Sequence, residues 1–446
     1  MYEPKIITFL CTWCSYTGAD TAGIARLKSP ANLRAIRVPC SGRVSPEIIM
    51  RTFDQGADGV LVLGCHIGEC HYDTGNHRAA KRVPIVRALM TFSGLEQERL
   101  RLDWVSASEG ERFTRITSEF VEQVRALGPL NWRIERSQAR YRSTDLFHEG
   151  QPAIGDGQWD GSNQTEAIRA KAKDLLDSGQ VGCVIGYEVG LRGITRPAFV
   201  YSPAEAERLV WNSSCTHNLT VYLEEKLNKP AKGNERPKPV AVLVKPCDSR
   251  AINVLLAEKQ IEREQVYAIG MACEGIADGN GGLQSRCLVC SERTPVIYDT
   301  LIGEPPVIEK PTVSSKVADL QGLPASQRLE YWLSQFDRCI RCYACRQACP
   351  MCDCPSCLYE RDDSLWVGLG VGVNEKRTFH LGRAFHLAGR CIGCNECERV
   401  CPMNIPIGFL NQMLAQEVEQ AYGFRAGLEP VSSPIVTILS GEYQEG

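Results

Sequence analysis

Over its first third the chain alternates short apolar runs with amphipathic stretches. Residues 6–10, 33–38, 59–63 and 102–105 are strand-length apolar runs, and the intervals between them have room for helices. One such helix is signalled at 46–53, where Ser45 stands ahead of an apolar-periodic segment as an N-cap. A β-α alternation of this kind predicts a parallel sheet, hence a Rossmann-like domain over residues 1–135. From residue 129 the pattern dissolves into charged, Gly and polar positions, and 136–164 reads as a linker. A second α/β unit over 165–325 opens with a helical pattern at 165–176 and a strand at 181–186. A polar, Pro-containing connection at 228–239 then leads into a strand at 240–244. Residues 326–446 are organised by cysteine and predict a ferredoxin-like dicluster domain with helices, so the fold class is α/β overall.

Cys339, Cys342, Cys345 and Cys349, followed by Pro350, spell C-x2-C-x2-C-x3-C-P, and Cys391, Cys394, Cys397 and Cys401, followed by Pro402, spell it again. In such a run three thiolates converge on one [4Fe-4S] cube and the fourth cysteine reaches across to the other cluster. The predicted ligand sets are therefore Cys339, Cys342, Cys345 and Cys401 for one cube, and Cys349, Cys391, Cys394 and Cys397 for the other. Zinc shares the C-x2-C spacing but needs only four ligands and does not explain two copies ending in Pro. Arg338, Arg341, Arg346, Arg390 and Arg399 flank the runs, either as solvated loop charges or as redox tuning. Cys352, Cys354 and Cys357 form a C-x-C-x2-C group able to supply three ligands of a further cluster. GLGVGV at 368–373 lacks the spacing of a phosphate loop and reads as a turn or strand.

Cys11 and Cys14 follow the first apolar run, Cys40 the second, and Cys65 and Cys70 the third. All five fall at the carboxyl ends of predicted strands, where open parallel sheets place ligands. Four thiolates suit a [2Fe-2S] or a [4Fe-4S] centre equally by count, and His66 and His71 are not assigned as ligands. In the middle unit Cys247, Cys273, Cys287 and Cys290 fall on loops or strand ends and suit a [4Fe-4S] site, with zinc the competing reading. Cys183 and Cys215 read as buried or free thiols. Eight dicluster, four middle and four amino-terminal ligands account for 16 of the 22 cysteines, which allows a fifth cluster without requiring one.

Composition narrows the field further. With 50 basic and 53 acidic residues interspersed in 446, the net charge of −3 leaves no basic stripe for nucleic acid. Neither a secretory signal nor a span of about 18 apolar residues is present, so a cytoplasmic protein without a membrane span is expected. In a reducing compartment clustered cysteines favour metal over disulfides.

FLCTWCSYTGADTAG and PCSGRVSPEIIMRTFDQGADGVLVLGCHIGECHYDTGN, with the stretch to about residue 135, resemble the delta subunit of methyl-viologen-reducing hydrogenase, the MvhD/FlpD family. That resemblance implies a [2Fe-2S] cluster on four of Cys11, Cys14, Cys40, Cys65 and Cys70, and electron transfer into an HdrA-like flavoprotein of flavin-bifurcating, heterodisulfide-reductase-type complexes. Residues from about 165 to 310, through KPCDSRA, IGMAC and the C-x2-C ahead of Asp299, look like the beta subunits of deazaflavin-reducing hydrogenases and formate dehydrogenases. This second likeness implies one [4Fe-4S] cluster beside an FAD. CIRCYACRQACPMCDCPSC and FHLGRAFHLAGRCIGCNECERVCP look like the fused-ferredoxin members of the same family.

The expected function is single-electron relay between a donor oxidoreductase (a hydrogenase, a formate dehydrogenase or an NADH-oxidising module) and the HdrA-like partner. The sequence holds no Ser/His/Asp set or nucleotide fingerprint, so a non-catalytic subunit is expected. The alternative is an FAD-dependent oxidoreductase that exchanges hydride with a deazaflavin or nicotinamide.

Overall fold

A computed structural model describes residues 2–130, 161–190, 193–227, 238–278, 282–306, 315–354, 356–360, 368 and 370–435. In the amino-terminal unit, strands β1 (Ile6–Cys11), β2 (Leu33–Val38), β3 (Gly59–Gly64) and β4 (Leu100–Trp104) alternate with helices α1 (Ser15–Ile24), α2 (Pro46–Asp54), α3 (Gly75–Phe92) and α4 (Gly110–Leu127). Ser45 caps α2, accepting the Ile48 N–H at 3.5 Å. All four strands are parallel, in the order β2-β1-β3-β4. The order reverses between β1 and β3, and there an open parallel sheet leaves a crevice at its carboxyl edge. The last strand begins two residues before the predicted 102, because a short 3-10 turn over Gln97–Arg99 feeds straight into it.

Successive residues of a strand face opposite sides of the sheet. Ile6, Leu10, Leu61 and Leu63 pack on α4 through Phe113, Ile116 and Phe120. Phe9, Val60 and Val62 point the other way, into a core shared with Met50 and Phe53 of α2 and Val86 and Leu89 of α3.

The middle unit contains α5 (Ser162–Asp177), β5 (Cys183–Val189), β6 (Thr195–Val200), α6 (Leu223–Leu227), β7 (Val240–Val244), α7 (Pro246–Ala257), β8 (Val266–Met271), α8 (Ser285–Leu288) and β9 (Thr300–Ile302). Its sheet runs β6-β5-β7-β8-β9, parallel except for the antiparallel edge pair β5–β6. Left-handed Gly161 starts α5 at Ser162, inside the stretch expected to be linker; most of that linker, 136–160, lies outside the described residues. The 228–239 connection is described only at 238 and 239.

Helices α9 (Ser315–Gly322), α10 (Ala325–Asp337), α11 (Ala344–Gln347), α12 (Val373–His386), α13 (Glu396–Arg399) and α14 (Gly408–Tyr422) build the carboxy-terminal region. The glycine-rich 368–373 segment is not a strand in its described part: Val373 already opens α12. Two of its carbonyls, Gly368 and Gly370, take hydrogen bonds from the Arg341 guanidinium.

These helices close over the amino-terminal unit, with Trp332, Phe336, Phe385 and Leu410 joining the core beneath α2 and α3. The Trp332 indole donates to the Phe92 carbonyl at 3.2 Å. Asp54 of α2 is buried against Arg377 and the Thr378 hydroxyl of α12. Burial pushes the Asp54 carboxyl up and the Arg377 guanidinium down to about 9, so desolvation outweighs the mutual attraction. Such a pair fixes how two elements meet more than it stabilises them, and losing one partner strands a buried charge at about 3–5 kcal/mol. Asp54→Ala is therefore expected to lower the thermal midpoint of the holoprotein clearly, whereas Asp54→Leu with Arg377→Met restores much of it. A single variant melting like the parent would contradict this account.

Candidate metal centres

The switch point of the first sheet is filled by thiols. Cys11 ends β1, Cys14 precedes α1, Cys40 follows β2, and Cys65 and Cys70 follow β3. The five are buried in one cluster. Two thiolates on a tetrahedral metal with bonds of about 2.3 Å stand about 3.8 Å apart; Cys40 and Cys70 are 3.7 Å apart. Sulfur atoms of Cys11, Cys14 and Cys65 all lie within 4.8 Å of one another. The donor set therefore fits a thiolate-ligated metal centre. Hydrogen bonds from Cys14 and Cys40 bring the Cys11 thiol down to about 7, while its bond to Cys11 pushes Cys14 up to about 12.

The loops are held by their surroundings rather than by the two histidines as ligands. The Asn76 amide donates to the His66 carbonyl at 2.6 Å, and His66 pairs with Glu109 at 2.7 Å. The Ser106 N–H, with help from His66, holds Glu109 down to about 2. His71 stacks on Trp13 with ring centroids 3.7 Å apart, and Trp13, Ile67 and Tyr72 form an exposed apolar rim beside the thiols.

In the middle unit Cys247 lies in the first turn of α7, Cys273 follows β8, and Cys287 and Cys290 lie in and after α8. All four line one cavity of about 140 Å³. Four thiolates on a single ion would close to about 3.8 Å of one another. Among the described residues, Cys11, Cys14 and Cys65 form the only such group of three with all ligand atoms within 4.8 Å of one another. Asp299 points elsewhere, accepting from the Ala268 N–H at 2.7 Å and pairing with Arg263 at 2.6 Å. Cys183 and Cys215 are buried thiols in the surrounding core.

The two carboxy-terminal runs adopt the same loop. Arg341 and Tyr343 have φ of 53° and 59°, and at the matching places in the second copy Gly393 and Asn395 have φ of 72° and 49°. A left-handed Arg or Tyr costs of order 1–3 kcal/mol and persists only where the surroundings impose it. Here the turn aims the Arg341 N–H at the Cys339 sulfur, 3.3 Å away. Cys339, Cys342, Cys345 and Cys401 line a single small cavity, together with Phe379 and His380. His380 is buried with neither ring nitrogen hydrogen-bonded, and burial with the nearby Arg383, Arg341 and Lys376 holds it neutral, down to about 3. In the second set, Cys397 lies among Cys391 and Cys394, and Cys349 near Cys394. The Cys352 thiol is hydrogen-bonded to Cys349, Cys354 is exposed, and Cys357 is half-buried beside Tyr359.

Of the five flanking arginines, Arg338, Arg346, Arg390 and Arg399 engage side chains such as Gln335, Glu360, Glu258 and Glu396. Sequence reasoning missed two deeper cations. Arg286 bonds the Cys394 carbonyl and, at 2.9 Å, the Thr216 carbonyl. Against the cost of burial, Cys247, Cys287, Glu396 and Cys394 hold it protonated. Arg383, on α12, is buried between the two carboxy-terminal sets. The available signal was position: Arg286 adjoins Cys287, and Arg383 lies eight residues ahead of Cys391.

A parallel sheet with thiols at its switch point, joined to two cysteine runs that adopt the same loop, fits an iron–sulfur protein of the electron-transfer class. Residues 6–128 match the family described as methyl-viologen-reducing hydrogenase, delta subunit. The vhc F420-non-reducing hydrogenase iron-sulfur subunit of Methanococcus voltae is 47% identical over 128 residues, 29% of this chain and 89% of that protein. The corresponding F420-non-reducing hydrogenase iron-sulfur protein of Archaeoglobus profundus is 47% identical over 131 residues, 29% of this chain and 96% of its own length. Through this segment the chain belongs to the methyl-viologen-reducing hydrogenase delta-subunit family. It is also 43% identical over 143 residues to the HdrA subunit of the ferredoxin:CoB-CoM heterodisulfide reductase of Methanosarcina mazei, covering 32% of this chain but only 18% of that protein. No described helix is long and apolar enough to cross a membrane.

Proposed function

We propose that the chain is an electron-relay subunit whose thiol sets hold one [2Fe-2S] and three [4Fe-4S] clusters in a fixed order. The observation that carries the proposal is the contiguity of the sets. Ile392 and Gly393, from the second carboxy-terminal run, line the middle cavity, and Arg286 spans from the middle thiols to the Cys394 carbonyl. Cys349 and Cys401 each leave one run for the other set, coupling the two carboxy-terminal sites. Tyr359 packs at 5.4 Å on Phe379 in the shell of the first of these, and its hydroxyl donates to Glu47, at the start of the helix after Cys40, at 3.4 Å. The order is then the middle set, the Cys349/Cys391/Cys394/Cys397 set, the Cys339/Cys342/Cys345/Cys401 set, and the amino-terminal set.

When bound, each cluster exchanges one electron. The apolar shell of Phe379, Ile405 and Ile407 covers the buried Cys339 and Cys345, while Cys342 of the same set is exposed. At the amino-terminal site Cys40 and Cys70 share one iron by their spacing, and two of Cys11, Cys14 and Cys65 take the other. The exposed rim of Trp13, Ile67 and Tyr72 offers a docking face for an HdrA-like flavoprotein. The heterodisulfide reductase HdrA protein that contains a region similar to this domain supports that partner.

The test is anaerobic purification with iron, sulfide, zinc and flavin measured on one sample, followed by EPR of the dithionite-reduced protein. About 14 irons per chain without flavin supports the relay, and about 18 adds a cube at Cys352, Cys354 and Cys357. One FAD per chain favours the hydride-exchanging oxidoreductase instead, and zinc in place of iron overturns both.

A further inference from the structure

Helix α12 buries three cations, Lys376, Arg377 and Arg383. Lys376 bonds the Asp337 carbonyl at 2.6 Å and lies 3.8 Å from its carboxylate, and Arg377 pairs with Asp54. Among the described residues no carboxylate reaches Arg383. Its Nη2 donates to the Cys345 carbonyl at 2.9 Å, which fixes the guanidinium against the first run. Nε and Nη1 are fully buried and have no hydrogen-bond partner. The groups that face it are the sulfur atoms of Cys352, Cys349, Cys397 and Cys345.

A guanidinium in an apolar interior is costly unless an anion offsets it. The Cys352 thiol, brought down to about 6 by its hydrogen bond to Cys349 and by Arg383, offsets part of that charge; a thiolate-ligated cluster is anionic as well, and its sulfur atoms accept hydrogen bonds from the two donors left over. Hydrogen bonds to sulfur and net charge are among the factors that set cluster potentials. Adding an electron makes a cluster more negative, so a fixed cation beside it stabilises the reduced form more than the oxidised one.

We propose that Arg383, through its free Nε–H and Nη1–H, raises the reduction potential of the cluster held by Cys349, Cys391, Cys394 and Cys397, and so sets the potential step between the two halves of the dicluster. The proposal rests on reading those cysteines as cluster ligands. Arg383 ligates nothing; it acts on the cluster through charge and two donors.

The experiment is an EPR-monitored redox titration of the full-length holoprotein, with dithionite supplying the electrons, alongside Arg383→Gln and Arg383→Lys. Expected is a Gln variant with parental iron content in which one [4Fe-4S] signal appears only at more negative potential, with Lys in between because it keeps the charge and loses the fork. Parental potentials in an iron-replete Gln variant overturn the proposal. Should the Gln variant fail to retain iron, the Lys variant decides: a negative shift supports the role and an unchanged titration removes it. A parent protein without any [4Fe-4S] signal would instead sink the reading of the ligand sets.

Discussion

Gly75→Ala is expected to cost the proposed amino-terminal site its iron and to leave the iron of the other proposed sites in place. Gly75 is the first residue of α3, and a Cβ built on it falls 2.0 Å from the Cys40 sulfur and 3.1 Å from that of Cys70. Sulfur and carbon do not approach that closely, so one thiol must leave the site. The backbone cannot retreat, because Gly42, two residues after Cys40, is packed so tightly that its own added Cβ would meet the Gly75 carbonyl oxygen at 2.5 Å. Two glycine backbones thus cross directly beneath the pair of thiols 3.7 Å apart. The expected readout is a fall from about 14 to about 12 irons per chain, with loss of the corresponding EPR signal. Gly23→Ala is the control: a Cβ there meets nothing within 4 Å, and alanine in a helix is more favourable than glycine by up to about 1 kcal/mol. Full iron in Gly75→Ala would show that Cys40 and Cys70 do not share a metal.

The glycines were visible as letters, but their meaning depends on which backbones meet. Strands β1 and β3 could be read directly because 6–10 and 59–63 are almost wholly apolar, and β2, at the sheet edge, because Leu33, Ala35, Ile36 and Val38 outweigh Arg34 and Arg37; a cysteine follows each within two residues, and a parallel sheet puts those ends on one edge. The fourth strand read less clearly because Arg101 and Asp103 sit on a partly exposed edge and pair with each other at 2.9 Å. Strand β6 escaped altogether: TRPAFV carries Pro197, which a sheet tolerates at its edge, where β6 lies. The duplicated four-cysteine runs give candidate ligand sets by spacing alone. What surrounds them did not follow from spacing, because burial of a cation is decided by tertiary partners. In FHLGRAFH the arginine and histidines look like a solvated face, yet Arg383 and His380 lie inside, where apolar packing meets sulfur.

Cys287→Ser with Cys290→Ser is expected to remove about four irons while leaving both carboxy-terminal clusters reducible by dithionite. The two residues supply half of the middle cavity's four thiols, and serine is a poor substitute for a soft thiolate ligand. The Cys349/Cys391/Cys394/Cys397 set should respond even though none of its ligands has changed. Ile392 and Gly393 belong to both walls, and Arg286 faces Cys247 and Cys287 on one side and Cys394 on the other. In the fully reduced parent protein two paramagnetic neighbours this close broaden each other's EPR lines, and removing the middle cluster narrows the signal of the adjacent one. The Cys339/Cys342/Cys345/Cys401 set, one step further along, keeps its line shape. Arg286 loses the sulfur partners on its middle-set side but keeps Glu396, 3.6 Å away, and the Cys394 side, so the Cys394 loop should stay as protected from backbone amide exchange as in the parent. If all four irons remain, the middle cysteines hold no cluster; if they are lost without any narrowing, the middle site is not the immediate neighbour of the dicluster and the proposed order fails.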